Sequence, residues 1–306
     1  MEAPGCRCKA DGISDIRARL GGARRAGHRR HGTPGEDTMP GMTIDGYELN
    51  YAESGVGEPL VLVHGTLGDQ RYWAPQMATL GRHYRVLALS MRHCWPGDWP
   101  DQGGDFTIDR HVADVAGFIR GLGAGPVRLV GHSRGGHIAF RVAERHPELV
   151  RALVLAEPGG ELDESLGGKP AAAGQAGAFA EGAALIEAGD TEGGLRRIAE
   201  HTGGPGAWEK RGSDRKQMNR DNARTLLGQR HERRSPYSRA AAERITAPTL
   251  LVVGGQTLPN FVANADALER HVKGCERVMI PDAAHAMSQD NPAAFDAAVL
   301  AFLERH

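Results

Sequence analysis

The chain of 306 residues is long enough for one large domain with an insertion or for two small domains. Apolar residues make up 40% and charged residues 25%, as in ordinary globular proteins, and the formal net charge of −1 gives no electrostatic reason to expect a nucleic acid or an anionic membrane as partner. No apolar run approaches the roughly 20 residues that a membrane helix needs, and the cysteines do not suggest a disulfide framework, so we expect a cytoplasmic protein.

The first 41 residues differ in composition from the rest of the chain. They contain no aromatic residue, many glycines, and more Lys and Arg than Asp and Glu. A segment of this kind cannot build a core, so the sequence predicts a mobile basic tail, for which a dispensable role is favoured over targeting. Cys6 and Cys8 form a C-x-C pair, but no second pair stands at ligand spacing, and no metal site is expected there.

From Met42 onward, short apolar runs alternate with segments of helical periodicity. Two strands are predicted around the turn Asp45-Gly46, and continuous apolar runs of the kind found in strands covered on both faces follow at 60–64, 85–89, 127–131, 152–156, 249–253 and 277–280. Helical spacing appears between them, for example at 108–122, 137–146 and 291–306. This alternation predicts an α/β fold, a parallel sheet with helices on both faces.

Residues 158–245 interrupt the alternation. They contain no strand-like run, only Ala-, Glu- and Arg-rich stretches of helical character, and they are too long for a connecting loop. The sequence therefore predicts a helical cap over 158–245, inserted into a core formed by 42–157 and 246–306.

The segment "LVGHSRGG" places Gly131-His132-Ser133-Arg134-Gly135 between a predicted strand and a predicted helix. In that setting the G-x-S-x-G pattern predicts a nucleophile elbow, a tight turn that holds the serine oxygen above the sheet. Bulky side chains at the two outer glycines would clash in such a turn. The oxygen would lie at a helix N-terminus, where the helix dipole favours developing negative charge.

Several segments together resemble the α/β-hydrolases over residues 42 to 306. The segments that carry the resemblance are "LVHGTLGD", "LVGHSRGG", "HPELVRALVLAEP", "APTLLVVGG" and "PDAAHAMSQDNPAAF". The resemblance implies a mostly parallel eight-stranded sheet with helices on both faces and a cap between the sixth and seventh strands. It also implies a hydrolase.

An acyl-transfer enzyme needs two N–H donors directed at the oxyanion of its tetrahedral intermediate. One is expected from the backbone of Arg134, which follows the nucleophile, and the other from the loop "HGTLGD" after an early strand. We predict Thr66 as the second donor, with Leu67 as the fallback. His64 in the same motif is expected to make structural hydrogen bonds.

A serine hydroxyl also needs a base with a pKa near neutrality. The position that carries the base in the α/β-hydrolases is matched by His285, in a loop of small residues after the last predicted strand. His132 lies next to the serine in the sequence, but its side chain is expected to point away from it.

The base in turn needs a carboxylate, and the loop after strand 249–253, the usual place, has none. A minority of α/β-hydrolases, including haloalkane dehalogenases and some lactone hydrolases, carry the acid after the preceding strand, where this chain has Glu157. Adjacent parallel strands end at the same edge of a sheet, so Glu157 is predicted as the acid. Asp282, Asp266 and a water-bridged dyad remain alternatives.

Serine as nucleophile favours acyl transfer to water over dehalogenase or epoxide-hydrolase chemistry. We therefore predict a hydrolase of a medium-sized, largely apolar carboxylic ester or lactone. No Mg²⁺, nucleotide or flavin motif occurs, so neither a cofactor nor a metal is implied. The alternatives are hydrolysis of a C–C bond beside a ketone, perhydrolase activity, and a ligand-binding or signalling role with little turnover. The sequence leaves the oligomeric state open.

The substrate pocket is the least defined part of the prediction. Candidates for its wall are apolar residues after a strand end and in the cap, each of which ordinary packing would also explain: Met91, Trp95, Trp99, Trp208 and Met218, with Phe179 and Leu226. The charged runs of the cap are expected to be solvated helix faces. A role in carboxylate binding is the alternative for Arg211, Arg215 or Arg220.

Overall fold

The computed structural model describes residues 39–100, 105–169, 177–230 and 232–306. The predicted tail lies outside these ranges except for its last three residues, and Cys6 and Cys8 lie outside them as well.

Eight strands form one sheet in the part of the chain that the structure describes. They are β1 (Gly41–Ile44), β2 (Tyr47–Ser54), β3 (Pro59–Val63), β4 (Arg85–Leu89), β5 (Val127–His132), β6 (Val150–Ala156), β7 (Thr249–Gly254) and β8 (Cys275–Ile280). Their order across the sheet is β1-β2-β4-β3-β5-β6-β7-β8, with β1 and β2 antiparallel to their neighbours and all other pairs parallel. The predicted mostly parallel α/β sheet is confirmed.

Helices fill the intervals between the strands. They are α1 (Ala74–Leu80), α2 (Ile108–Leu122), α3 (Arg134–Arg145), α4 (Ala178–Glu187), α5 (Thr191–Gly203), α6 (Ala207–Lys210), α7 (Ser213–Asp221), α8 (Thr225–Gln229), α9 (Arg239–Glu243), α10 (Pro259–His271), α11 (Met287–Asp290) and α12 (Pro292–Leu303). Within the ranges given above, no helix has both the length and the apolar character that crossing a membrane would demand.

The core lies on both faces of the sheet because successive side chains of a strand point to opposite faces. In β3, Leu60 and Leu62 pack in the cluster to which α1 and α12 contribute, whereas Val61 and Val63 pack in the cluster of α2, α3 and α10. All five residues of β3 are buried, which explains its continuous apolar run. The carboxyl ends of the parallel strands meet at one edge, where the loops carry polar side chains.

Strand β8 departs from the prediction of coverage on both faces. Among the described strands it has only β7 as a neighbour, and Met279 within it is 57% exposed. The prediction was wrong for β8, because an apolar run of four residues does not distinguish an edge strand from a central one.

The interval between β6 and β7 contains α4 to α9. A separate apolar cluster holds Leu195, Ile198, Trp208 and Leu226 together with Leu67 of the core. In contrast, the segment from Tyr237 through α9 is buried in the same cluster as α2 and α3. We infer that the cap consists of α4 to α8 and that the last part of the predicted cap packs as core.

Candidate active site

Ser133 occupies a strained turn between β5 and α3. Its backbone angles are φ 54° and ψ −118°, a region that non-glycine residues adopt at a cost of about 1–3 kcal/mol. A Cβ atom at Gly131 would collide with the carbonyl oxygen of Gly135, and a Cβ atom at Gly135 would collide with that of Val63. The backbone N–H of Ser133 donates to Ala156 O over 3.0 Å, which joins the turn to β6. These contacts explain both glycines of the motif.

His285, in the loop between β8 and α11, is within hydrogen-bond distance of the serine. Its Nε2 lies 2.9 Å from Ser133 Oγ. The ring of His285 is stacked on that of Phe261, with centroids 4.1 Å apart. The backbone carbonyl oxygen of His285 lies 2.8 Å from Nε2 of His132. His132 therefore fixes the loop that carries His285 and does not itself contact the serine hydroxyl, in line with the expectation for its side chain.

Glu157 approaches His285 from the end of β6. Its Oε2 lies 2.6 Å from Nδ1 of His285, and the residue is 1% exposed. The backbone N–H of Gly254 donates to Oε1 over 2.7 Å, and the hydroxyl group of Thr257 donates to Oε2 over 2.8 Å. The loop after β7, which has no acid of its own, thus supplies two hydrogen bonds that orient the carboxylate from β6. Sequence reasoning missed both donors.

The alternative carboxylates lie elsewhere. Asp266 forms an ion pair with Arg277 of β8, and Asp282 is exposed to solvent. Neither contacts His285 in the structure. In the described part of the chain, no three His, Cys, Asp or Glu side chains come together as metal ligands would.

Burial and nearby charges determine the protonation states of His285 and Glu157. Burial lowers the pKa of His285, and Arg215, His201 and Arg211 lower it further. Burial raises the pKa of Glu157, although the two hydrogen bonds to its carboxylate oppose this shift. The imidazole is consequently uncharged at neutral pH and can accept a proton from the serine.

Two backbone N–H groups near Ser133, those of Thr66 and Arg134, remain the predicted oxyanion donors. A Cβ atom at Gly65 would lie 3.0 Å from that of Ser133, so the backbone that leads into Thr66 packs directly on Ser133. The N–H of Arg134 belongs to the first turn of α3 and has no partner within the helix. Neither N–H donates to a backbone carbonyl of another described residue.

Residues of the cap hold this loop in place. The hydroxyl group of Thr66 donates to Gln229 Oε1 over 2.9 Å, and Asn219 Nδ2 donates to the carbonyl of Leu67 over 2.9 Å. Leu67 has φ 60°, so its strained backbone depends on such support. The position of the cap and the position of the loop are therefore linked.

His64 makes structural hydrogen bonds, as expected. Its Nε2 accepts from the backbone N–H of Met91 over 3.1 Å, which leaves Nδ1 as the donor to Gly65 O at 2.8 Å. Burial lowers the pKa of His64 to about 4, so the ring stays neutral. The contact also anchors Met91 in the core.

A cavity opens above the serine between core and cap. It is lined by Gly65, Thr66, Leu67, Tyr72, His132, Ser133, Gly159, Gly160, Phe179, Ile198, His201, Thr202, Arg211, Arg215, Met218, Asn219, Arg234, Asn260, Phe261, His285 and Ala286. Of the predicted pocket residues, Met218 and Phe179 line it. The polar side chains in the wall were not anticipated, apart from the arginines considered as an alternative.

The other predicted pocket residues do not reach the cavity. Met91 is buried in the core, the ring of Trp95 lies under the guanidinium of Arg71 at 3.8 Å, and Trp99 packs edge-on against Phe106. Trp208 and Leu226 fill the interior of the cap. The assignment of these five residues to the pocket was wrong. Apolar side chains that fill a core and those that line a cavity have the same sequence signature.

The chain is similar in sequence to a known protein family. A family model described as the alpha/beta hydrolase fold matches residues 58–292, more than half of the chain.

Curated relatives match over part of their length. A 2-hydroxy-6-oxo-6-(2'-aminophenyl)hexa-2,4-dienoic acid hydrolase of Metapseudomonas resinovorans is 35% identical over 132 residues, which are 41% of this chain and 45% of the relative. An (E)-2-((N-methylformamido)methylene)succinate hydrolase of Acinetobacter baylyi is 36% identical over 110 residues, 35% of this chain and 40% of the relative. The chain thus spans less than half the length of these relatives.

Solved structures are similar over most of the chain. A hydrolase from Pseudomonas aeruginosa superposes with a TM-score of 0.73 at 24% identity and covers 87% of this chain and 98% of its own. The enol-lactonase from Burkholderia xenovorans gives a TM-score of 0.70 at 21% identity, with coverage of 87% and 100%. At these identities the likeness shows a shared fold.

Proposed function

The chain belongs to the alpha/beta hydrolase fold family, and from this premise we propose that it is a cofactor-free serine hydrolase of a medium-sized carboxylic ester or lactone. The observation that carries the proposal is the unbroken series of hydrogen-bond contacts from Ser133 through His285 to Glu157 at the base of a cavity. Nucleophile, base and orienting acid in this relation are the recurring arrangement for acyl transfer.

In the acylation step, Ser133 Oγ attacks the carbonyl carbon of the substrate while Nε2 of His285 takes the hydroxyl proton. The carbonyl electron pair moves onto oxygen, where the N–H groups of Thr66 and Arg134 stabilise it. Glu157 stabilises the imidazolium that forms. When the tetrahedral intermediate collapses, His285 returns the proton to the departing alkoxide, and an acyl ester on Ser133 remains.

In the deacylation step, water takes the place of the leaving alcohol. His285 accepts a proton from water, hydroxide attacks the acyl carbon, and the same N–H groups stabilise the second oxyanion. Collapse of this intermediate breaks the bond to Ser133 Oγ, which recovers its proton from His285. In a lactone the leaving alkoxide stays attached to the acyl group, so the product is a hydroxy acid.

The position of Glu157 after β6 favours an ester or a lactone as the substrate. The resemblance drawn from the sequence associates a carboxylate after the sixth strand with some lactone hydrolases, and an enol-lactonase is among the similar structures. The second candidate, hydrolysis of a C–C bond, is favoured by the relative named as a dienoic acid hydrolase. The position of Glu157 counts against this candidate. Diketone-type hydrolases resemble enzymes that carry the carboxylate after the seventh strand, whereas Glu157 follows the sixth.

Active-site labelling tests the proposal. A fluorophosphonate probe should label the wild-type protein and leave Ser133→Ala unlabelled, since only an activated serine displaces fluoride from phosphorus. Ser165→Ala, which changes an exposed serine outside the cavity, is the matched control and should label fully. Undiminished labelling of Ser133→Ala would contradict the assignment of the nucleophile.

Turnover of a 4-nitrophenyl ester separates an enzyme from a ligand-binding protein. Steady release of 4-nitrophenol supports hydrolysis, whereas one equivalent of release followed by none would indicate a receptor or a trap that keeps the acyl group.

A further inference from the structure

The cavity above Ser133 is cationic although the chain as a whole is nearly neutral. Three arginines line it, Arg211, Arg215 and Arg234, and no Asp or Glu does so among the described residues. The formal net charge of the chain is −1. The positive charge is therefore local to the site and is not a property of the whole surface.

Two of these arginines have no carboxylate partner among the residues that the structure describes. Arg234 donates to Glu232 Oε2 over 2.8 Å, and it shares this carboxylate with Arg134, so it has a partner inside the protein. Arg211 and Arg215 are half-buried and form no ion pair with any carboxylate in the described ranges. Removing a cation from water without a partner is costly, so such a pair is a poor structural element but a good receptor for an anion.

The Arg211 side chain is held ready by its neighbours. Its Nη1 donates to Asn219 Oδ1 over 2.7 Å, and Nδ2 of the same asparagine donates to the carbonyl of Leu67 in the loop next to the serine. Burial, together with Arg215, lowers the pKa of Arg211 to about 9, which still leaves it protonated at neutral pH. A bound anion would relieve this unfavourable environment.

A second cavity adjoins the first and shares the two arginines. It is also lined by Lys210, by His285 and by Asp290. The Asp290 carboxylate accepts from the backbone N–H of Ala284 over 3.1 Å and forms no ion pair with Arg211 or Arg215. The two guanidinium groups thus lie between the two cavities, beside the base.

We propose that the substrate carries a carboxylate in addition to the scissile ester or lactone, and that Arg211 and Arg215 bind this carboxylate beside Ser133. The inference deepens the proposed function and rests on it. Guanidinium groups match carboxylates in geometry and form stronger hydrogen bonds with them than with neutral acceptors. The apolar part of the wall, with Phe179, Ile198 and Met218, accommodates the remainder of the substrate.

The charge of the substrate also assists the base. Arg215 and Arg211 oppose protonation of His285, and an anion that neutralises them removes this opposition when the proton must move. Substrate binding and proton transfer are then favoured by the same contact.

Matched substrates test the proposal. On the acyl side, mono-4-nitrophenyl adipate is compared with 4-nitrophenyl hexanoate, and on the leaving-group side, 4-acetoxybenzoate with phenyl acetate. The wild-type protein should show a kcat/KM at least about tenfold higher for the anionic member of one pair. In the double variant Arg211→Met/Arg215→Met that ratio should fall at least about tenfold.

The control variant is Arg220→Met. Arg220 lies on α7 like Arg215, but it pairs with Glu192 and lines neither cavity, so its replacement should leave the ratio unchanged. Ratios near one for both wild-type pairs would overturn the proposal, and so would a ratio that survives in the double variant.

Binding to Ser133→Ala distinguishes failure of this inference from failure of the proposed function. Titration calorimetry should show that Ser133→Ala binds monomethyl adipate at least about tenfold more tightly than dimethyl adipate. Replacing both arginines as well should remove this difference in affinity. If this difference in affinity is found but the fluorophosphonate does not label the wild-type protein, the anion site is supported and the proposed hydrolase function is wrong. Equal affinity for inorganic phosphate and monomethyl adipate would overturn the carboxylate assignment.

Discussion

The hydroxyl group of Thr257 donates a 2.8 Å hydrogen bond to Oε2 of Glu157. The same oxygen lies 2.6 Å from Nδ1 of His285, so the donor from the loop after β7 acts on the atom that contacts the imidazole. The loop that carries no carboxylate of its own therefore orients the one that β6 supplies. The carboxylate that we propose as the triad acid thus follows β6, one strand before the usual position in the family.

Replacing Thr257 by Val should lower kcat for a 4-nitrophenyl ester by about tenfold. A hydrogen bond to a carboxylate contributes about 1.5–3 kcal/mol, and its loss lets Glu157 turn away from the imidazole. The hydrogen bond from Thr257 lowers the pKa of Glu157, so its removal raises that pKa further and moves the acid limb of the kcat profile to higher pH.

Thr257→Ser is the matched control because it keeps the hydroxyl group. It should restore both kcat and the position of the acid limb. If Thr257→Val and Thr257→Ser behave alike, the hydroxyl group does not orient Glu157, and the loss comes from packing alone.

The change Glu157→Gln should reduce turnover by about 10³–10⁴, by analogy with the loss of the correct tautomer in other triads. An amide can present N–H to Nδ1, which favours the tautomer that cannot accept the serine proton at Nε2. Circular dichroism and thermal unfolding should show that the fold persists.

Asp282→Asn provides the comparison for this acid. Asp282 is exposed, so its change should alter turnover by less than about twofold. A large effect of Asp282→Asn together with a small effect of Glu157→Gln would show that the acid was misassigned.

The fold could be predicted from the sequence because its signals are local. Central strands buried on both faces, such as β3, require continuous apolar runs, and the turn at Ser133 requires glycine at two fixed positions. The contact between Glu157 and His285 was also predictable, because neighbouring parallel strands end at the same edge of the sheet.

The pocket could not be predicted in the same way because its wall depends on how the cap packs on the core. Phe261 lies in the first turn of α10 and stacks on His285, and nothing in the local sequence distinguishes it from Trp208, which fills the interior of the cap. That no described carboxylate forms an ion pair with Arg215 is likewise a property of the folded chain, since a charged run predicts only a solvated helix face.

The acid limb of kcat/KM for the neutral ester 4-nitrophenyl hexanoate should depend on the charge of Arg215. Activity requires a neutral His285 beside an ionised Glu157, and burial and then the Arg215 guanidinium lower the pKa of His285. Arg215→Gln removes a cation that opposes protonation. The limb should therefore move to higher pH in this variant.

The comparison must account for every charged or titratable group that faces the imidazole. Glu157 and His132 contact the imidazole. The groups that line a cavity together with it are Tyr72, His201, Lys210, Arg211, Arg215, Arg234 and Asp290. Arg220→Gln removes a cation from the same helix away from the cavity, and its limb should coincide with that of the wild-type protein. A limb that stays in place in Arg215→Gln would mean that this guanidinium does not act on His285.

The side chain of Arg134 should matter for stability rather than for the oxyanion. Its Nε donates to Glu232 Oε1 over 3.1 Å, and the two side chains are 4% and 0% exposed. Arg134→Met keeps the backbone N–H but leaves the buried Glu232 with Arg234 as its remaining cation, so urea denaturation should show a free energy of unfolding lower by about 3 kcal/mol. Arg145→Met on the same helix breaks an exposed pair with Asp109 and should cost at most about 1 kcal/mol. Equal losses in the two variants would mean that the buried pair does not hold the segment around Glu232 to the elbow.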